Sequence, residues 1–271
     1  MKNEKEAKVI AFANQKGGVA KTTSCQMLAC GLAEQGKKVL AVDADAQRNL
    51  TSALAPDLIH NVKQQNKSIY EVMDKSCPAT ECVIAVNDNL DILPGSELMA
   101  AADMRFTAPG REYLLTEGLK PLKDQYDYIL IDTPPQLGII IVNALVCADG
   151  IIIPMWATTF SIQGFRLLMD TIQTVKTYYN SNLEIEGVLI TQYSSRGEMQ
   201  SLIKGHLGEL LEMQQIHLYQ TGIRSGNAIQ RAQNTGTNPL TDKDRKYTQS
   251  GAIKDYKAFV QEFLSRNEET R

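Results

Sequence analysis

The stretch Asn14–Thr23, NQKGGVAKTT, sets two lysines and two hydroxyls around a glycine pair. Paired glycines let a backbone curl so that its N–H groups point inward, and a helix starting just after them adds the positive end of its dipole. That combination binds phosphate. Lys21 is placed to pair with β- and γ-phosphate oxygens, and the Thr22 hydroxyl to ligate Mg2+. The stretch departs from the general pattern G-x-x-x-x-G-K-[ST], because Gln15 and Ala20 stand where that pattern has glycine. Gly17-Gly18 and an additional lysine, Lys16, stand in their stead. A plain glycine turn would account for the glycines but gives no reason for Lys-Thr at a helix start.

Carboxylates supply an independent indication. Asp132 closes the apolar run of YDYILIDTPP (126–135), and open α/β sheets bind ligands at the carboxyl ends of their strands. A carboxylate there suits the magnesium side, usually through a water. VDADAQRNLT (42–51) brings Asp43 and Asp45 to the tip of another strand, where residues two apart share a face if the strand extends that far. One of the pair could orient an attacking water while the other holds magnesium-bound water or the loop. Each acid taken alone is also a fair helix cap. The loop and the strand-end Asp132 occurring together, in this order, argue against capping alone.

These residues need strands that end at one edge. KVIAFAN (8–14) is a short apolar run leading into the glycine pair, and TTSCQMLACGLAEQG reads as the helix that follows, stopped by Gly36. KVLAVDAD (38–45), NLDILPG (89–95), YDYILIDTPP, GIIIPM (150–155) and EIEGVLITQY (184–193) read as further strands. Helices are expected over about 161–180, 198–213, 225–234 and 251–265. Such alternation predicts an α/β fold, a doubly wound and mainly parallel sheet with helices on both faces. The polar, weakly patterned segment 56–88 is expected to be a helical insertion, and residues 1–271 to form one domain.

Composition narrows the function classes. Of 271 residues, 43% are hydrophobic and 22% charged, ordinary for a globular protein, and the net charge of −3 leaves nucleic acid contact to local patches. No apolar run approaches a membrane span and MKNEKEAK is not a signal peptide, so a cytoplasmic location is expected. Five cysteines without a secretory signal exclude a disulfide framework. Cys25 and Cys30 lie about 500° apart on a helix of roughly 100° per residue, so they read as buried small hydrophobes, not ligands.

Lys16-Gly17-Gly18-Val19-Ala20-Lys21-Thr22-Thr23 resembles the deviant Walker A motif of the ParA/MinD superfamily of P-loop NTPases. VDADAQRNLT and YDYILIDTPP resemble that superfamily's second-strand and magnesium-side motifs, and the order and spacing are similar to ParA-type (Soj-like) partition ATPases. GVLITQYSSRGEMQ (187–200) and GIRSGNAIQRAQ (222–233) are similar, more loosely, to later ParA segments.

The resemblance implies an ATPase that uses ATP and Mg2+ and drives DNA segregation. It implies that Lys16 reaches across an ATP-sandwich homodimer to phosphates held by the other subunit. It makes the loop residues from Lys16 to Thr23 nucleotide contacts, Thr22 and Asp132 the metal-side residues, Asp45 the residue positioning the water, and Asp43 a supporting one. Lys16, Lys21 and Asp45 are then the catalytic set. Nonspecific DNA binding by the ATP dimer is implied for Arg196 and Arg224, with Lys204, Arg231 and Lys243 to Lys246 as further candidates. A ParB-like centromere-binding protein is the implied partner, and the location nucleoid-associated. Only about seven residues precede the first strand, so the N-terminal helix-turn-helix domain of larger ParA proteins is not expected.

Two other readings compete. A MinD-like positioning ATPase would end in an amphipathic membrane helix, and Ile253, Tyr256, Phe259, Val260 and Phe263 do recur at helical spacing. Core packing explains that stripe more simply, and the terminal NEETR does not favour anionic lipid. An iron-sulfur relative would need paired cysteines at the interface, and Cys147 has no partner at ligand spacing. A nucleotide-binding module that never hydrolyses is disfavoured by Asp45.

Overall fold

β1 (Lys8–Phe12) is apolar after its first residue because the strand is covered on both faces. Val9 and Ala11 enter one core layer, Ile10 and Phe12 the other. The structure, a computed structural model, describes residues 6–58, 66–156, 159–193, 207–209, 211–226, 229, 240 and 250–269.

β1 leads into α1 (Lys21–Glu34), then β2 (Val39–Asp43) and α2 (Asn49–Leu54). Short helices α3 (Ile69–Met73) and α4 (Ala79–Cys82) precede β3 (Ile84–Asn87) and β4 (Leu90–Leu93). Two more, α5 (Ala102–Arg105) and α6 (Leu114–Leu119), lead to β5 (Tyr128–Asp132). α7 (Ile139–Cys147), β6 (Gly150–Trp156), α8 (Thr159–Tyr178), β7 (Glu184–Thr191) and α9 (Gly251–Glu269) follow. Among the described residues the strands form one seven-stranded sheet in the order β3-β4-β2-β5-β1-β6-β7. Every pairing is parallel except β3 with β4. The expected mainly parallel, doubly wound sheet is therefore present.

α1 and α9 cover one face. Their approach is close, because a Cβ at Gly31 would run into the Val260 side chain. The Ile253, Tyr256, Phe259, Val260 and Phe263 stripe of α9 is buried in this layer. α7 and α8 cover the other face. No described helix is long and apolar enough to cross a membrane. All five cysteines are free thiols and four are buried.

Two expectations change. Segment 56–88 is not wholly helical: after a 3-10 turn at Pro56–Leu58 and two short helices it supplies the edge strand β3. β2 ends at Asp43, not at residue 45, because the chain turns there under hydrogen bonds to the Asp43 carboxylate. The expected helices over 198–213 and 225–234 lie largely outside the described residues.

Candidate functional site

Register brings the functional segments to one edge. Phe12, the last residue of β1, is paired with Asp132 of β5, and Asp132 with Asp43 of β2. The loop leaving β1 therefore starts beside Asp132, with Asp43 one strand further on. The sheet order also reverses here, since β1 is followed in space by β5 and β2 on one side and by β6 and β7 on the other.

Gly18 takes the left-handed conformation (φ 73°), as a curled loop requires. Ala20 does so too (φ 62°, ψ 35°), at a cost of about 1–2 kcal/mol relative to glycine. Alanine is thus accommodated where the general pattern has glycine. α1 starts immediately afterwards with no side chain capping its first turn, which leaves its amides for a ligand. Asn14 sets the loop's entry, accepting from the Lys16 N–H (2.9 Å) and donating to the Pro154 carbonyl (2.7 Å).

A cavity of about 580 Å³ opens over this loop. Gly17, Gly18, Ala20, Lys21, Thr22 and Thr23 form its floor; Asp45 and Gln47 come from the turn after β2, Asn49 from the start of α2, and Pro135 from the loop after β5. Lys21 is 7% exposed and donates weakly to the Lys16 carbonyl (3.4 Å). Burial lowers its pKa, against the pull of Asp132 and Asp45. The Lys16 ammonium lies 5.2 Å from the centre of the Trp156 ring at the end of β6, within cation–π range.

Asp132 is fully buried, and neither carboxylate oxygen has a hydrogen-bond partner among the described residues. Burial and the neighbouring Asp43 push its pKa well up. The Thr22 hydroxyl and Lys21 pull the other way, the hydroxyl from just outside hydrogen-bond geometry. A buried, unpartnered carboxylate next to a hydroxyl at a phosphate loop is the donor set of a hard cation held through water, so these residues fit Mg2+.

Asp43 and Asp45 separate into two tasks. Asp43 accepts from the Thr51 N–H (2.8 Å), the Thr51 hydroxyl (2.6 Å) and the Asp45 N–H (3.2 Å), and it does not line the cavity. Burial still raises its pKa to about 6. Thr51 Oγ1 in turn accepts from the Gly95 N–H at 2.9 Å, tying β2, α2 and the end of β4 together. Asp43, expected as a supporting residue of the nucleotide site, holds the turn after β2. Asp45 faces the cavity and caps the turn to Gln47 (2.9 Å).

Sequence reasoning missed two side chains at the end of β7. The buried Thr191 hydroxyl donates to the Val19 carbonyl (3.0 Å), and the Gln192 amide donates to the Gly18 carbonyl. Arg224 grips Asp255 of α9 through Nη2 (2.7 Å) and Nε (2.8 Å). Arg196, Lys204, Arg231 and Lys243 to Lys246 lie outside the described residues.

Residues 7–185 match the AAA domain family. The sporulation initiation inhibitor protein Soj of Bacillus subtilis is 37% identical over 191 residues, 70% of this chain and 74% of that protein. The chain belongs to the ParA/Soj family. An uncharacterized protein of Mycobacterium tuberculosis is 41% identical over 193 residues, and the match spans only 59% of that relative. Among solved structures, this ParA-family chain is similar to cobyrinic acid a,c-diamide synthase from Mycobacterium smegmatis with bound ADP and magnesium. That likeness has a TM-score of 0.80 and 28% identity, over 98% of this chain and 97% of that one. A protein of Borrelia burgdorferi B31 described as a plasmid partition protein, bound to AMPPNP, has a TM-score of 0.78 and 27% identity over 96% and 100% of the chains. These likenesses agree with the mainly parallel sheet as described.

Proposed function

We propose that this ParA-family chain is a Mg2+-dependent ATPase that acts in DNA partition. The observation that carries the reading is the conjunction in one cavity of the Gly17–Thr23 loop, Asp45 and, beneath it, the unpartnered Asp132. Lys21 and the amides of the loop and of α1 hold the β- and γ-phosphates, while Thr22 and Asp132 hold the metal side. Mg2+ held there would supply neutralisation of phosphate charge. Asp45 orients the water that attacks the γ-phosphorus, releasing phosphate and ADP. A second cavity of about 280 Å³ shares Ala20, Thr23 and Gln192 with the first and has Ile223, Ile229 and Tyr256 in its wall, which suits a base.

Lys16 completes the site of a second copy. A cation supplied across a sandwich neutralises charge in the transition state and makes dimerisation depend on nucleotide. Exposed Leu98, Met104 and Leu137 supply apolar surface for that contact, and Asp103 joins two of their segments by accepting from the Ile139 N–H (2.8 Å). The dimer binds DNA nonspecifically through Arg224 and Arg196, and a ParB-like partner stimulates hydrolysis and release.

The experiment is cosedimentation with DNA and, separately, with anionic liposomes, with and without ATP and Mg2+. Partition chemistry gives ATP-dependent binding to DNA, weakened by salt, and none to liposomes. ATP-dependent liposome binding without DNA binding would replace this reading by membrane positioning.

A further inference from the structure

Thr191 and Gln192 are successive residues, and on a continuing strand their side chains would point to opposite faces. They do not, because β7 ends at Thr191 and Gln192 is left-handed (φ 53°). Both side chains consequently reach the same loop, Thr191 at the Val19 carbonyl and Gln192 at the Gly18 carbonyl. A trans peptide unit is planar, with its C=O and N–H pointing in opposite directions. Holding the carbonyls of residues 18 and 19 from the β7 side thus fixes the N–H groups of Val19 and Ala20 on the other side. Those are two of the amides with which a curled loop meets an anion. The same grip holds the peptide entering Ala20, whose left-handed conformation a free alanine would leave.

The clamp is itself anchored. Beyond Gln192, the Tyr193 N–H donates to the Ile223 carbonyl (2.8 Å) and the Ile223 N–H to the Ile190 carbonyl (2.8 Å). The Arg224–Asp255 fork then ties that segment to α9. Gln192 lines both cavities, so its amide sits where the loop meets the second pocket.

We propose that Thr191 and Gln192 are positioning residues that orient the phosphate loop from outside it, and so set how tightly a phosphate chain is held. The inference rests on the phosphate reading of the cavity. The clamp touches only the loop's backbone, so its loss weakens every ligand that carries the phosphate chain, whatever the base.

The test is competition of ATP, GTP and inorganic tripolyphosphate against a fluorescent ATP analogue, in the wild type, Thr191→Val, Gln192→Met and Gln192→Glu. One neutral hydrogen bond is worth about a factor of five in affinity, more where it is buried. Gln192→Met is therefore expected to weaken ATP and tripolyphosphate together by about 2–5-fold, and Thr191→Val by about 5–10-fold. Gln192→Glu, which sets an acceptor against the Gly18 carbonyl, is expected to exceed both, with the ATP-to-GTP ratio unchanged throughout. Unchanged tripolyphosphate binding with a shifted ATP-to-GTP ratio would overturn the clamp and make Gln192 a base contact. Unchanged binding of all three ligands in properly folded variants would also overturn it. A wild type that binds neither ATP nor tripolyphosphate would instead overturn the phosphate reading itself.

Discussion

Asp132→Asn is expected to stabilise the free protein while removing its response to Mg2+ and ATP. The carboxylate is fully buried, its two oxygens are unpartnered, and Asp43 beside it adds repulsion that outweighs the attraction of Lys21. Burying an unpaired charge costs more than burying an unpaired neutral amide, so removing the charge is expected to return about 1–3 kcal/mol and raise Tm by a few degrees. The effect depends on pH with a definite sign. The folded carboxyl holds its proton more tightly than the unfolded one, whose pKa is near 3.8. Wild-type stability from this group therefore falls as pH rises from that value towards the raised folded one. Asparagine mimics the protonated acid, so the gap between variant and wild type closes in acid and widens above. Adding Mg2+ and ATP at a hundredfold excess over Kd stabilises a binding protein by about 2.7 kcal/mol. The two proteins should change rank: the variant melts higher alone, the wild type higher with ligand. Thermal unfolding at pH 5 and 8, with and without Mg2+ and ATP, reads all four corners. A free variant less stable than wild type, or one still stabilised by Mg2+ and ATP, would refute the reasoning.

Thr51→Val removes the hydroxyl that donates to Asp43 and accepts from the Gly95 N–H. It is expected to cost about 2–4 kcal/mol in urea unfolding, and a loss below about 0.5 kcal/mol would contradict the tie. Trp156 is the only tryptophan, and the Lys16 ammonium stands over it. Mg2+ and ATP should draw that cation away and change the emission of the wild type, whereas Lys16→Met should lack the response; equal responses would contradict the displacement. Asp255→Asn loosens the fork on Arg224. If Arg224 meets DNA phosphate, ATP-dependent DNA binding tightens and its log–log salt slope steepens by about 0.9, whereas weaker binding would make the pair a structural brace.

Chemistry carried by neighbouring residues was legible. Strand-to-loop-to-helix order, the Lys-Thr pair and the strand-end Asp132 are local patterns, and the register joining β1, β5 and β2 follows from their apolar runs. Three things were not. The β7 clamp joins residues 172 and 174 positions apart in sequence, and nothing around Gln192 announces a left-handed residue. Asp43 and Asp45 looked alike from spacing; what separates them is Thr51, eight residues on, which ends the strand by claiming one carboxylate. β3 has only four residues and a half-buried pattern, too short to read as a strand before its pairing with β4 is seen.

The central claim is that nucleotide held in the Gly17–Thr23 loop joins two copies through Lys16. Light scattering behind size exclusion tests it most directly, using Asp45→Ala to slow hydrolysis, with and without Lys16→Ala, in Mg2+ and ATP. The expected result is twice the 30.0 kDa of one chain when Lys16 is present. The Lys16→Ala protein should still bind ATP yet elute as a monomer. A full ATP-dependent dimer without Lys16 would contradict the account.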